Sequence, residues 1–264
     1  MFGMKLYRIN ALLLKYFYIS INRADRIFDI VYWPLIDLFV WGFASLYIED
    51  LSSFNILSML LGGIILWIFV WRSSQDIATF VLEDFWARNL YNLFSSPIKI
   101  SEHVTSIVIF AFLRGLTSFM VMVILSYLMY QFNIFTMPLF FLAFCILILC
   151  LVGWAMGMLV VSLILCYGQR IQVLAWSSVW IIQPFSCVFY PLEILPAWAQ
   201  NIAVLLPTTY VFENMRNFLN GKEIVYSQLW YSFAVGVVLM ILMAYVLYHA
   251  FLRAKRTGLL ARGD

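Results

Sequence analysis

The sequence predicts an all-α integral membrane protein, and three observations carry that prediction. Hydrophobic residues fill 65% of the 264 positions and charged residues only 11%, where a soluble domain carries about a quarter charged residues. So little polar surface cannot coat a water-exposed globule, whereas lipid accepts apolar side chains on every side. The apolar residues also gather into six stretches near the roughly 20 residues that cross a bilayer as a helix. Ten Trp and fifteen Tyr suit a body with two lipid–water interfaces, where amphipathic rings anchor.

Residues 4–22 read as a helix lying on the membrane. At about 100° per residue, Lys5, Arg8, Lys15 and Asn22 share one arc of about 100°, while Leu6, Ile9, Leu13 and Phe17 point elsewhere. Those charges interrupt the start and no small-residue cleavage site follows, so no cleavable leader is expected. Six spans are predicted near 27–48, 54–72, 104–130, 138–165, 171–190 and 228–252. The third and fourth are long enough to tilt or protrude.

Basic residues orient the bundle. Lys5, Arg8, Lys15, Arg23 and Arg26 precede the first span; Arg72, Arg88 and Lys99 flank or occupy loop 73–103; Arg170 sits in the turn after the fourth span; and Arg253, Lys255, Arg256 and Arg262 end the chain. Thirteen of the sixteen Lys and Arg thus fall on one side, and the opposite loops hold only Arg216 and Lys222. Positive loops stay in the cytoplasm, so both termini are expected there.

Loop 73–103 is the sizeable cytoplasmic connection, and its residues 81–94 (VLEDFWARNLYNLF) lack Pro and Gly. Asp84, Arg88 and Asn92 repeat every four residues along one face, with Phe85, Trp86, Leu90 and Phe94 supplying apolar surface. Ser96-Pro97 ends this helix and Ser101 is expected to cap the next. A short, partly apolar helix at the cytoplasmic surface reads as a docking element. On the other side, stretch 191–227 is broken by Pro191, Pro196 and Pro207, and its apolar piece 197–206 is about half the length of a span. Over 191–219 it is expected to form a re-entrant or interfacial helical hairpin, flanked by Glu193 and Glu213, with its irregular backbone covered by protein or water.

Two charges fall inside predicted spans. Asp37 stands midway along the first and Arg114 about eleven residues into the third, at similar depth. An isolated charge there costs roughly 2.5 to 3.5 kcal/mol even on the lenient insertion scale. They are expected either to pair or to line one aqueous cavity, the alternative being separate satisfaction by backbone carbonyls or a second subunit. Asp29 and Glu102 are expected near the interface, in water. The fifth span carries Gln172, Ser177, Ser178 and Gln183 among Trp176, Trp180 and Phe185, and amides in a span face protein or a pathway. With Tyr32, Trp33 and Trp41 of the first span, Gln172, Trp176, Trp180 and Gln183 are candidate linings of a route for an amphipathic molecule; helix packing accounts for the same residues.

Recognisable catalytic chemistry is missing. No GxxxxGK[ST] nucleotide loop, HExxH, GxSxG or CxxC occurs. Cys145, Cys150, Cys166 and Cys187 lie in or beside apolar stretches as small apolar filler, and neither His103 nor His249 has a ligand-like neighbour, so no metal is expected. Transport or scaffolding remains.

The order of RIFDIVYWPLIDLFVWGF, LEDFWARNLYNLFSSPIKISEH and PFSCVFYPLEILPAWAQNIAVLLPTTYVFENMR resembles the membrane subunits of type-2 ABC exporters, the ABC-2 permease family, across nearly the whole chain. Singly these motifs are loose; their order and spacing are specific. The resemblance implies a permease of a bacterial inner membrane that holds no cofactor itself. It would work with two separately encoded ABC ATPase subunits, which bind the ATP and Mg, and with a second permease copy, as a homodimer. Glu83, Asp84, Trp86, Arg88 and Asn89 would meet the ATPases, and the first and fifth spans would form the pathway and dimer seam. Relatives export lipid-linked glycans, lipids or drugs; no nucleic-acid partner is expected. A secondary transporter or channel would show internal repeats or matching broken helices, and a membrane enzyme would cluster catalytic groups; neither pattern is visible.

Overall fold

The computed structural model describes residues 4–49, 56–87 and 89–257, and every regular element among them is helical. In order these are α1 (Leu6–Asn22), α2 (Ala24–Glu49), α3 (Ile56–Trp86), α4 (Leu90–Ser95), α5 (Ile100–Tyr130), α6 (Leu139–Tyr167), α7 (Leu174–Ile182), α8 (Ala197–Ala203), α9 (Pro207–Leu219) and α10 (Tyr226–Thr257). Five helices among the described residues are long and apolar enough to cross a membrane: α2, α3, α5, α6 and α10. Their surfaces fit that solvent. Phe28, Val40 and Phe43 of α2 and Val238, Ile241 and Tyr245 of α10 are exposed, which lipid tolerates and water does not.

At one end of the bundle α1 packs along α5, burying Ile9, Leu12 and Tyr16 and leaving Leu6, Tyr7, Phe17 and Tyr18 exposed. Its two basic residues are tied to acids. Lys15 Nζ lies 2.6 Å from Asp84 Oδ1, and Arg8 reaches Glu102 Oε2 at 3.4 Å and the Pro97 carbonyl. The two acids sit on helix ends that α1 crosses, so ion pairing draws Arg8 and Lys15 inward beside Ile9, Leu12 and Tyr16, and Leu6, Tyr7, Phe17 and Tyr18 are left outward.

α3 departs furthest from expectation. Predicted to leave the membrane at residue 72, it continues unbroken to Trp86. At about 1.5 Å per residue its 31 residues extend roughly 46 Å, against about 30 Å of hydrocarbon. Residues 73–86 contain no Pro or Gly to stop them. They are enclosed as well: Ile77, Phe80 and Val81 join Leu12, Tyr16, Ile107, Phe110, Met158 and Phe251 in a cluster at the α1 end. The docking helix expected over 81–94 is therefore two pieces, the last turn of α3 and the six-residue α4.

The span expected over 171–190 is likewise not one helix. A 3₁₀ turn at Gly168–Ile171 precedes the nine-residue α7, another follows at Gln183–Phe185, and Cys187 adopts φ 54°. Pro184 has no N–H to continue the α ladder. The segment nonetheless travels along the bundle. Gln172 meets Trp86 at the α1 end, and Val188 meets Gly63 near the start of α3, a separation of roughly 34 Å along that helix at 1.5 Å per residue. Beyond it, α8 and α9 form a helical pair. Val211, Phe212 and Met215 of α9 enter the main core with Leu61, Ile65, Phe141 and Ile148.

Close helix approach holds α6 against α3. A Cβ at Gly153 would stand 2.7 Å from Ser73 Cβ and 2.8 Å from the Val70 carbonyl oxygen; at Gly157 it would stand 2.8 Å from Ile77 Cβ. Small residues four apart let backbones touch where lipid offers no hydrophobic drive for association. Gly153→Ala is expected to destabilise the protein by about 1–3 kcal/mol in detergent-induced unfolding. Gly236→Ala, whose added Cβ meets only Leu151 atoms at 3.4 and 3.5 Å, is expected to be close to neutral; equal effects would contradict the tight α3–α6 crossing.

Candidate functional site

Four charges meet where α2, α3 and α5 touch. One face of α3 carries Arg72 and Asp76, a turn apart. Arg114 of α5 donates from Nη1 to Asp76 Oδ1 at 2.6 Å and from Nη2 to Asp29 Oδ2 at 3.2 Å. Arg72 donates to the Asp29 carboxylate and, from Nη2, to the Asp29 carbonyl at 2.8 Å. Arg72, Asp76 and Arg114 are all buried. The expected Asp37–Arg114 contact is not formed: Arg114 takes Asp76 and Asp29 instead, and no ion pair joins Asp37 to any described residue. Asp29 is not simply solvated either, since two guanidiniums hold it. Asp76 escaped the sequence reading because it lies in the stretch assigned to a loop; the one trace of it was the four-residue spacing from Arg72.

The predicted docking residues fold into a second web at the α1 end. Glu83 accepts from Arg23 Nη1 at 2.8 Å and from Arg26, and Asp84 accepts from Lys15 and from Asn89 Nδ2 at 3.1 Å. Both acids thus turn inward. Trp86 stays partly exposed, donates from Nε1 to Gln172 Oε1 at 3.2 Å and stacks on Trp176 with centroids 6.4 Å apart. Asn89 opens α4, and Arg88 lies outside the described residues. Glu102, expected in water, is buried: its carboxylate accepts the Lys5 and Lys99 backbone N–H groups at 2.9 Å each, so Glu102, not Ser101, caps α5. Tyr16 shares a 3.0 Å hydrogen bond with His103 Nδ1, and burial pushes its phenol well above the usual tyrosine range.

Midway along α2, Asp37 borders a cavity of about 240 Å³. Trp33 and Trp41 of α2, Trp67 and Trp71 of α3, and Trp180 of α7 surround it, with Gln183 and Phe189 closing one side over Ile64 and Ile68. Rings brace one another: Trp41 stacks on Phe189 at 3.9 Å, and Trp33 meets Trp71 edge-on at 6.4 Å. Of the predicted pathway residues, Trp33, Trp41, Trp180 and Gln183 come together here. Tyr32 faces outward against Phe28, while Gln172 and Trp176 belong to Trp86. Sequence reading missed Trp67, Trp71 and Phe189, which look like ordinary interfacial or core aromatics until the helices are placed.

At the other end, α9 clamps the chain entering the α8–α9 pair. Glu213 Oε1 accepts from the Leu192 backbone N–H and from Arg216 Nη2, each at 2.8 Å, and Arg216 Nη1 donates to the Cys187 carbonyl at 2.7 Å. Pro191 precedes the 3₁₀ turn that holds Glu193, and Pro207 takes the first position of α9, where its missing N–H is harmless.

Removing one member of the enclosed quartet tests it. Arg114→Met strands the Asp76 carboxylate and is expected to cost about 3–5 kcal/mol. Adding Asp76→Leu should recover most of that, because Arg72 and Asp29 still pair. Additive losses in the double variant, read by detergent-induced unfolding, would contradict direct pairing.

The described residues thus combine five helices long and apolar enough to cross a membrane, a web of ion pairs at the α1 end and a half-buried cavity beside α2, α3 and α7. A comparison with curated proteins finds no match. Residues 43–245 match the family model described as ABC-2 family transporter protein; the match starts after Asp37 and leaves out α1 and the first part of α2. Covering well over half of the sequence, it shows that the chain belongs to the ABC-2 transporter family, as a multi-pass permease.

Proposed function

We propose that this permease is the membrane subunit of an exporter in which two separate ABC ATPase subunits, binding ATP and Mg, drive an amphipathic substrate across a bacterial inner membrane. The observation that carries the reading is the course of α3. One helix runs from the far end of the bundle, past Ile64, Trp67, Ile68 and Trp71 of the cavity, to Trp86 beside α4. A push on that handle moves the cavity wall without crossing a flexible joint. The handle is stiffened for the purpose by Lys15–Asp84 and by Arg23 and Arg26 on Glu83.

In this reading the docking surface is the outward side of the handle, Trp86 and α4 with Asn92, while Glu83, Asp84 and Asn89 hold it in place. Six crossings result when the broken 168–185 segment completes the fifth, placing both termini on the basic, cytoplasmic side. The α8–α9 pair is then re-entrant from the outer side. A homodimer closing over the exposed faces of α2 and α7 would enclose the cavity between subunits.

Co-purification with an ABC ATPase tests the coupling. Asn92→Cys is expected to crosslink to that subunit, and Trp86→Ala to lower substrate-stimulated ATP hydrolysis several-fold while the complex still assembles. A reporter fused at residue 92 that reads extracellular, or transport by the purified chain with no ATPase, would overturn the proposal.

A further inference from the structure

We propose that the cavity around Asp37 is a recognition site for an organic cation, a quaternary or protonated amine carried by an amphiphile. The inference rests on the permease reading for its role in transport, but the site itself stands on its own geometry.

Charge is the first argument. Among the described residues that line the cavity Asp37 is the one ionisable side chain, it sits midway along a helix long and apolar enough to cross a membrane, and no described base pairs with it. The nearby guanidiniums are committed elsewhere, Arg72 to Asp29 and Arg114 to Asp76 and Asp29. An unpaired carboxylate at that depth is expensive and marks a binding or transport site. A positive ligand removes the imbalance with the carboxylate still ionised, whereas protonation only neutralises it.

The remaining walls specify which cation. Five tryptophans border the space, half of the ten in the chain, and indole faces attract onium groups more strongly than other side-chain rings do. A metal ion finds too few oxygens: Asp37 and Gln183 supply the carboxylate and amide, where calcium takes about 6–8 oxygen ligands. A sugar would ask for more hydrogen-bonding groups than these. The volume, about 240 Å³, falls just under the roughly 300–1,000 Å³ of sites that swallow a whole drug-sized ligand. It suits a compact headgroup, with the tail leaving past Trp33 and Trp180, which are 45% and 57% exposed.

Equilibrium dialysis of labelled benzyltrimethylammonium against the full chain in phosphatidylglycerol nanodiscs, with no ATPase and no ATP, tests the site directly. Saturable binding is expected, weakened at least about tenfold by Asp37→Asn, the loss of one charge-assisted contact, and about threefold by Trp180→Leu. Asp37→Glu should keep most of the affinity, and Trp176→Leu, outside the cavity, all of it. Neopentylbenzene, the neutral isostere, should not compete. Unchanged binding in phosphatidylcholine nanodiscs identifies a free amphiphile as the source, and competition there identifies a choline headgroup; either agrees with the site. Absence of saturable binding, undiminished affinity in the Asp37→Asn variant, or equal competition by the isostere overturns it. Because no ATPase takes part, failure here leaves the exporter reading untouched, and failure of ATPase coupling leaves the cation site untouched.

Discussion

Where α2, α3 and α5 meet, two guanidiniums and two carboxylates lie withdrawn from lipid and largely from water. Charges in such a place are tolerable only as a set, because each one removed leaves its partner uncompensated in a medium of low dielectric. Arg114, reaching both Asp76 and Asp29, ties three helices with one side chain. The register of α2 and α5 on α3 follows from that tie, and with it the placement of Asp37 about two turns beyond Asp29 on the same helix.

Around this set the rest of the bundle packs by contact rather than by hydrophobic drive, since lipid is as apolar as the helices themselves. Gly153 and Gly157 bring α6 onto Ser73, Ser74 and Ile77 of α3, the same two turns that carry Arg72 and Asp76. α3 is therefore pinned on one side by charges and on the other by close backbone approach. A helix held this way is rigid over its length, as the proposed coupling from one end requires.

The cavity lies along the middle of α3, and the second ion-pair web lies at its end by Trp86. Paired charges at the α1 end, Glu83 and Asp84 among the α1 and α2 bases, give rigidity; Asp37 has no described counter-charge. The same physics separates the two: a carboxylate with its counter-charge built in is structural, and one without it is, on the proposed reading, where a positive ligand binds. On the same reading, the aromatic wall around Asp37 turns that into a preference for an organic cation.

Composition and hydropathy alone determined the membrane class, the all-helical fold, four of the long helices within a few residues, a helix at the start and the broken character of 191–219, because each follows from how apolar and breaker residues are strung along a stretch. Those signals are local. Tertiary structure decided what local signals cannot carry. The polar stretch 73–86 stays inside one helix because neighbouring helices enclose and pair it, and 171–190 breaks at Pro184 yet still runs beside α3 from Trp86 to Gly63. Arg114 chose Asp76 over Asp37 for the same kind of reason: which charges lie within a few ångströms depends on how helices far apart in sequence are set against each other, and packing, not periodicity, sets that.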